Sequence, residues 1–199
     1  MLFLASRSPR RRRLLKQAGL RFRVLVSNAH EDVAAPNPTR FAIRVAERKV
    51  LAVAPGVKTG VILGVDTVVV LPGGHDPNRL DSVSCPRILG KPESKADARR
   101  MLRALSGRTH RVISGVCILC KPGGRKLLAA ETTRVTFRRL TGREIEDYIS
   151  TREPYDKAGA YAIQGKAGLF VERVSGDYFN VVGLPVALVM RMLRRTDRR

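Results

Sequence analysis

The chain has 199 residues, 44% of them hydrophobic, which suffices for one sizeable core and predicts a single domain over residues 1–199. Its formal charge of +21 favours polyanionic partners, yet aromatic residues make up only 5% and tryptophan is absent, so no basic stretch is interleaved with stacking rings as single-strand binders require. The longest apolar stretches, Val68–Leu71 and Val181–Met190, fall well short of the roughly 20 residues a membrane helix needs.

The segment from Phe3 to Leu15 predicts a strand that stops at a polar loop and restarts as a helix over Pro9 to Ala18. Ser8 is a good N-cap, Pro9 suits the first helical position, and Gly19 is a natural stop. Arg10 and Arg11 fall in the first turn, where the helix dipole disfavours cations by a few tenths of a kcal/mol each. A bound polyphosphate would offset that clash, met by helix N–H groups, the Ser6 and Ser8 hydroxyls and the guanidinium forks. A solvated basic helix start is the plain alternative. The first thirty residues contain no acid, as in transit peptides, but Lys16, Arg21 and Arg23 interrupt any hydrophobic stretch, so no targeting segment is expected.

Phe22–Val26 reads as a short strand and Thr39–Val53 as a helix between Pro38 and Pro55. Ala42, Val45, Ala46 and Val53 form its inward stripe, and Lys49 lies on that stripe too. Either its stem snorkels or its ammonium is delivered into a phosphate site. Val61–Leu71 is a β-branched run typical of a strand covered on both faces, followed by a turn-rich excursion from Pro72 to Cys85. Ser94 caps a helix carrying Ala98, Met101, Leu102 and Leu105 and ended by Gly107.

His110–Cys120 and Lys126–Leu140, separated by Pro122-Gly-Gly, form a hairpin. Cys117 and Cys120 lie three apart in that strand and so face opposite sides, and no second ligand pair exists, which argues against zinc. With Cys85 the cysteines form an odd set, so free thiols and a cytoplasmic location are expected. Thr141-x-x-Glu144 is a capping box that opens a helix through Ile145, Tyr148 and Ile149. Gly168–Val174 and Tyr178–Val182 read as a second hairpin around Ser175-Gly-Asp177, before a last helix starting at Pro185. Hairpins among crossover helices predict an α/β fold with a mixed, twisted sheet flanked by helices.

Asp66 interrupts the apolar run Val61–Leu71, where an unpaired buried carboxylate would cost several kcal/mol. It is either a satisfied structural aspartate or a carboxylate facing a cleft that holds a divalent cation and an attacking water, with Gly64 allowing close approach. Leu89-Gly90-Lys91-Pro92 adds a lysine in a rigid turn, and the Gly-rich stretch from Asp156 to Gly165 resembles a close-fitting ligand wall.

Ser6-x-Ser8-Pro9-Arg10-Arg11, Gly64-x-Asp66-Thr67, Gly90-Lys91-Pro92, Asp156-Lys157-Ala158-Gly159-Ala160-Tyr161-x-Ile163-Gln164-Gly165 and Val182-Gly183-Leu184-Pro185 occur in that order. Through these motifs, nearly the whole chain resembles the Maf family of nucleoside triphosphate pyrophosphatases. The resemblance implies hydrolysis between the α and β phosphates to a monophosphate and pyrophosphate, with Mg²⁺ or Mn²⁺. It further implies an architecture similar to inosine triphosphate pyrophosphatases, and a homodimer. Asp66 takes the place of the proton acceptor. Arg10, Thr67 and Gln164 match positions associated with base preference in the branch similar to dTTP/UTP pyrophosphatases, whereas the branch resembling 7-methyl-GTP enzymes has an aromatic in place of Arg10.

The residues fit that chemistry. Phosphoryl displacement asks a protein for positioning and charge stabilisation, which Arg11, Lys49 and Lys91 supply as cations and Ser6 and Ser8 as neutral donors. Lys157 reaches a phosphate or pairs with Asp156. Glu31 joins Asp66 in holding the metal or orienting water. Gln164 carries a donor and an acceptor, suited to the edge of uracil or thymine. Two features depart from the family pattern: a longer stretch from Pro72 to Arg87, and Ala162 where glycine is usual. The expected role is to keep non-canonical nucleotides out of nucleic acid. The competing expectation, motivated by the charge of +21, is a nucleic-acid-binding regulator of cell division without catalysis.

Overall fold

The computed structural model describes residues 1–30, 33–35, 37–73 and 86–196. Its strands are β1 (Leu2–Leu4), β2 (Phe22–Val24), β3 (Gly60–Leu71), β4 (Arg87–Leu89), β5 (Thr109–Lys121), β6 (Lys126–Phe137) and β7 (Val171–Ser175). Its helices are α1 (Pro9–Gln17), α2 (Pro38–Val53), α3 (Lys95–Leu105), α4 (Gly142–Ile149), α5 (Tyr178–Val182) and α6 (Val186–Thr196). The seven strands form a mixed sheet in the order β2-β1-β3-β5-β6-β7, with β4 added to β3. β1 runs parallel to both β2 and β3, while β4 is antiparallel to β3 and β7 antiparallel to β6. The expected α/β class is therefore the observed one.

The chain packs into two compact units, each built from separate stretches of sequence. Met1–Thr67, Ile113–Glu131 and Phe179–Arg199 make the first, and Val68–Val112 with Thr132–Tyr178 the second. In the first unit α2 sits on the sheet through Ala46 and Val50, and with Ala54 just past its end they pack with Ala5, Ile62, Cys117 and Leu119. Two glycines let it come close. A Cβ on Gly64 would lie 2.4 Å from the Ala46 carbonyl oxygen, and one on Gly115 would lie 2.2 Å from the Ala42 carbonyl carbon. Gly64 thus admits the backbone of α2, one of the two approaches its place in the strand suggests. In the second unit the core is aromatic: Phe137 makes edge-to-face contacts with His110, Tyr161 and Phe170, at centroid separations of 5.0, 4.8 and 6.1 Å.

Helix ends follow the capping chemistry of the sequence. The side chains of Ser8, Ser94 and Thr141 cap α1, α3 and α4, and Glu144 completes the capping box. The second hairpin expected around Ser175-Gly-Asp177 is not formed. Lys166–Phe170 is a 3-10 turn, only Val171–Ser175 is a strand, and Tyr178–Val182 is α5. A short apolar run cannot be told from a helical turn by its periodicity. Here Gly183, at φ +123°, lets its own N–H and that of Leu184 bond back to the Phe179 carbonyl, which closes the turn as a helix.

Candidate active site

In the first unit the loop after β1 and the start of α1 gather the serines and arginines. The Ser6 Oγ accepts from the Ser8 N–H at 3.2 Å, and the Ser8 Oγ accepts from the Arg11 N–H at 3.4 Å. The Arg11 guanidinium turns inward. It donates to the Gly183 carbonyl at 2.9 Å, to the Ser6 hydroxyl at 3.1 Å and to the Thr67 hydroxyl at 3.2 Å. This explains how the first turn of α1 tolerates an arginine without an acidic neighbour in that turn: three neutral acceptors, Ser6 close by and Thr67 and Gly183 far along the chain, share the charge. Arg10 lies half-buried on the same turn.

Thr67 ties this cluster to β5. Its Oγ1 lies 2.8 Å from the Ser114 Oγ and 3.4 Å from the Gly183 carbonyl. A hydroxyl has one proton, so when Thr67 donates to Gly183 the Ser114 hydroxyl donates to Thr67. Ser114 is fully buried, and its one mark in the sequence is a hydroxyl within the run Val112–Cys120.

Asp66, the neighbour of Thr67 on β3, is 7% exposed and accepts from the Lys49 Nζ at 2.6 Å through Oδ1. Lys49 itself is 9% exposed, so it does not snorkel; the close seating of α2 over Gly64 and Gly115 brings its ammonium to the carboxylate. The first unit thus brings together Ser6, Ser8, Arg11 and Thr67 in one hydrogen-bonded set and Lys49 with Asp66 in another. The Lys49 ammonium thereby fixes the orientation of the Asp66 carboxyl group.

In the second unit Lys91 is exposed in a turn whose Gly90 carbonyl accepts from the Gly159 N–H at 2.9 Å. The Lys157 Nζ donates to the Glu153 carbonyl at 2.9 Å and pairs with the Asp156 carboxylate. Between the two expectations for Lys157, the pairing with Asp156 is the observed contact. Gly159 at φ +70° and Ala160 at φ +59° take the left-handed conformation, a strained choice for alanine. Gln164 is exposed in a loop organised around Glu153, a residue that carried no signal in the sequence.

Glu31 lies outside the described residues, as does most of the stretch from Pro72 to Arg87. Among the described residues no group of three or more His, Cys, Asp or Glu is placed to hold a metal, and no helix is long and apolar enough to cross a membrane. Cys117 is a buried thiol whose pKa desolvation pushes up to about 12, so it is an inert packing group.

A family model described as Maf-like protein matches residues 1–196. The dTTP/UTP pyrophosphatase of Carboxydothermus hydrogenoformans is 45% identical over 193 residues, covering 97% of each chain. That of a Geobacillus species is 47% identical over 195 residues, covering 98% of this chain and 97% of the relative. That of Koribacter versatilis is 46% identical over 195 residues, covering 98% and 93%. Among solved structures the Staphylococcus aureus Ham1 protein shares the fold, with a TM-score of 0.50 at 13% identity over 98% of this chain and 99% of that one. With its ordered motifs, its mixed sheet and full-length matches on every side, the chain belongs to the Maf family.

Proposed function

We propose that this Maf protein hydrolyses nucleoside triphosphates of the dTTP and UTP class at the α–β phosphoanhydride, releasing a nucleoside monophosphate and pyrophosphate. The relatives named for that activity support the substrate class, and the buried Asp66–Lys49 pair is the observation that carries the chemistry. With Oδ1 held by Lys49, the proton of the attacking water goes to Oδ2 of Asp66. The water oxygen joins phosphorus, the bridging P–O bond breaks, and pyrophosphate leaves with the electron pair. Ser6, Ser8 and Arg11 offer donors to phosphate oxygens, and Lys91, Lys157 and Lys49 offer positive charge. Arg10, Thr67 and Gln164 select the base.

Asp66 and Glu31 are hard oxygen donors of the kind Mg²⁺ or Mn²⁺ takes, and Mg²⁺ is commonly held by one or two carboxylates together with substrate phosphates. These two residues would hold it, and when bound the cation neutralises charge on the phosphate oxygens. A homodimer in the cytoplasm, removing unwanted triphosphates before polymerases use them, completes the reading.

Purified protein supplied with Mg²⁺ is expected to release pyrophosphate from dTTP and UTP. Asp66→Asn, folded by circular dichroism, is expected to lose at least about 100-fold in turnover, the usual scale for a general base. No pyrophosphate from any triphosphate tried, or full turnover in Asp66→Asn, would overturn the proposal.

A further inference from the structure

The loop that carries Gln164 is wrapped around a carboxylate. Glu153 immediately precedes the 3-10 turn Pro154–Asp156 and sends its side chain into residues 162–167. Its Oε1 accepts from the Tyr148 hydroxyl at 2.9 Å and from the Ala167 N–H at 3.5 Å. Its Oε2 accepts from the Lys166 N–H at 3.2 Å. Tyr148, on α4, accepts in turn from the Ala162 N–H at 3.2 Å, so both ends of the loop are tied to one carboxylate and one phenol. Burial and the contact with Glu153 both push the Tyr148 pKa upward, which keeps its proton on the oxygen and available to Glu153.

Gly165 completes the cradle. A Cβ there would lie 2.2 Å from the Glu153 Oε1 and 2.3 Å from its Cδ. The backbone of Gly165, at φ −112° and ψ −155°, is ordinary extended backbone, so a side chain there would contest the space of the Glu153 carboxylate and not the conformation. The carboxylate therefore occupies the volume that any side chain at 165 would take. Its bonds are charge-assisted, so they hold the loop more firmly than neutral ones would.

We propose that Glu153 is a positioning residue for base selection: it sets the backbone that presents Gln164. The inference rests on the reading of Gln164 as the residue that meets the pyrimidine edge. The Gln164 side chain is exposed and not buried in packing, so its placement comes from its backbone. A donor and acceptor pair discriminates between bases only when held to about half an ångström, which the Glu153 cradle supplies.

The test uses the full chain with Mg²⁺ and compares UTP with GTP. Glu153→Gln keeps the shape but replaces one accepting oxygen with an amide that faces a donor. It is expected to lower the UTP over GTP preference in kcat/KM about tenfold, through KM for UTP, with kcat for the best substrate changed by less than about twofold. A folded Glu153→Gln protein with an unaltered preference would overturn the proposal, because a purely structural role moves stability and leaves that ratio in place. A thermal-unfolding cycle reads the cradle without turnover: Gly165→Ala should lower Tm in the wild-type background and much less in Glu153→Ala, where the room has been made. Additive shifts would equally overturn it. Wild-type protein that hydrolyses no triphosphate would instead remove the pyrophosphatase reading, and the base-selecting role with it, whatever the unfolding cycle gives.

Discussion

The Lys49–Asp66 pair in the first unit and His110 in the second are buried ionisable sites that are accommodated in opposite ways. Lys49 and Asp66 meet at 2.6 Å, each group offsetting the other's cost of leaving water. Among the described residues His110 has no charged partner of that kind. It is fully buried among Phe137 and Tyr161, its Nε2 lies 2.9 Å from the Tyr161 hydroxyl, and its Nδ1 has no hydrogen-bond partner among the described residues. Desolvation accordingly pushes its pKa down to about 4, so it remains neutral at physiological pH. Burial of an ionisable group is met in one place by an opposite charge and in the other by giving up the charge.

Breaking the charged member should cost most. Lys49→Met leaves Asp66 buried without its counter-ion, and urea unfolding should show a loss of about 3–5 kcal/mol. A double variant, Lys49→Met with Asp66→Leu, should recover most of that stability while remaining inactive. Recovery of stability without activity would separate the electrostatic cost from the chemistry, and no recovery would show that the pair contributes more than mutual cancellation.

Lowering the pH tests the neutral member. Above the ordinary histidine pKa of 6.5 both folded and unfolded chains carry neutral His110, so its contribution is complete there. As pH falls from 6.5 towards about 4 the unfolded chain binds a proton that the folded chain refuses, and stability drops. The full shift corresponds to about 3 kcal/mol. Unfolding free energies measured across that range should flatten in His110→Gln, and an equally steep fall in the variant would assign the effect to other groups. The half-buried Glu144, held down to about 2 first by the Arg138 guanidinium and then by Thr141, adds a fall of its own from about 4.5 downward, which wild type and His110→Gln share and which the difference between them removes.

The smallest effect sharpens the hydroxyl network beside the charged pair. Ser114→Ala removes the partner of Thr67 and should cost about 1 kcal/mol, with Arg11 still bound to Ser6 and the Gly183 carbonyl. Equilibrium unfolding of that variant, set beside its KM for UTP, shows whether the hydroxyls only brace β3 or also meet substrate.

Much of the fold could be read locally. Ser8-Pro9, Ser94 and Thr141-x-x-Glu144 announced three helix starts, because capping is chemistry between neighbours in sequence. The helix expected over Thr39–Val53 is α2, with Lys49 on its buried face as the stripe predicted. The second hairpin failed because Tyr178–Val182 is too short for period to separate strand from helix, and the positive φ of Gly183 decided the matter. Ser114 was marked only by a hydroxyl within the run Val112–Cys120.

From its linear order alone the chain determined which residues are chemically capable: the serines and arginines around Pro9, the acid inside an apolar strand, the lysine on a buried stripe, and a glutamine in a glycine-rich loop. Only tertiary structure decided their partners. Lys49 meets Asp66 because two glycines on separate strands let α2 settle close to the sheet, and the Arg11 Nε is oriented by a carbonyl 172 positions away. Glu153 is defined by the space at Gly165. Donor, acceptor and volume are properties of single residues, whereas neutralisation and close approach exist only between segments that folding brings together.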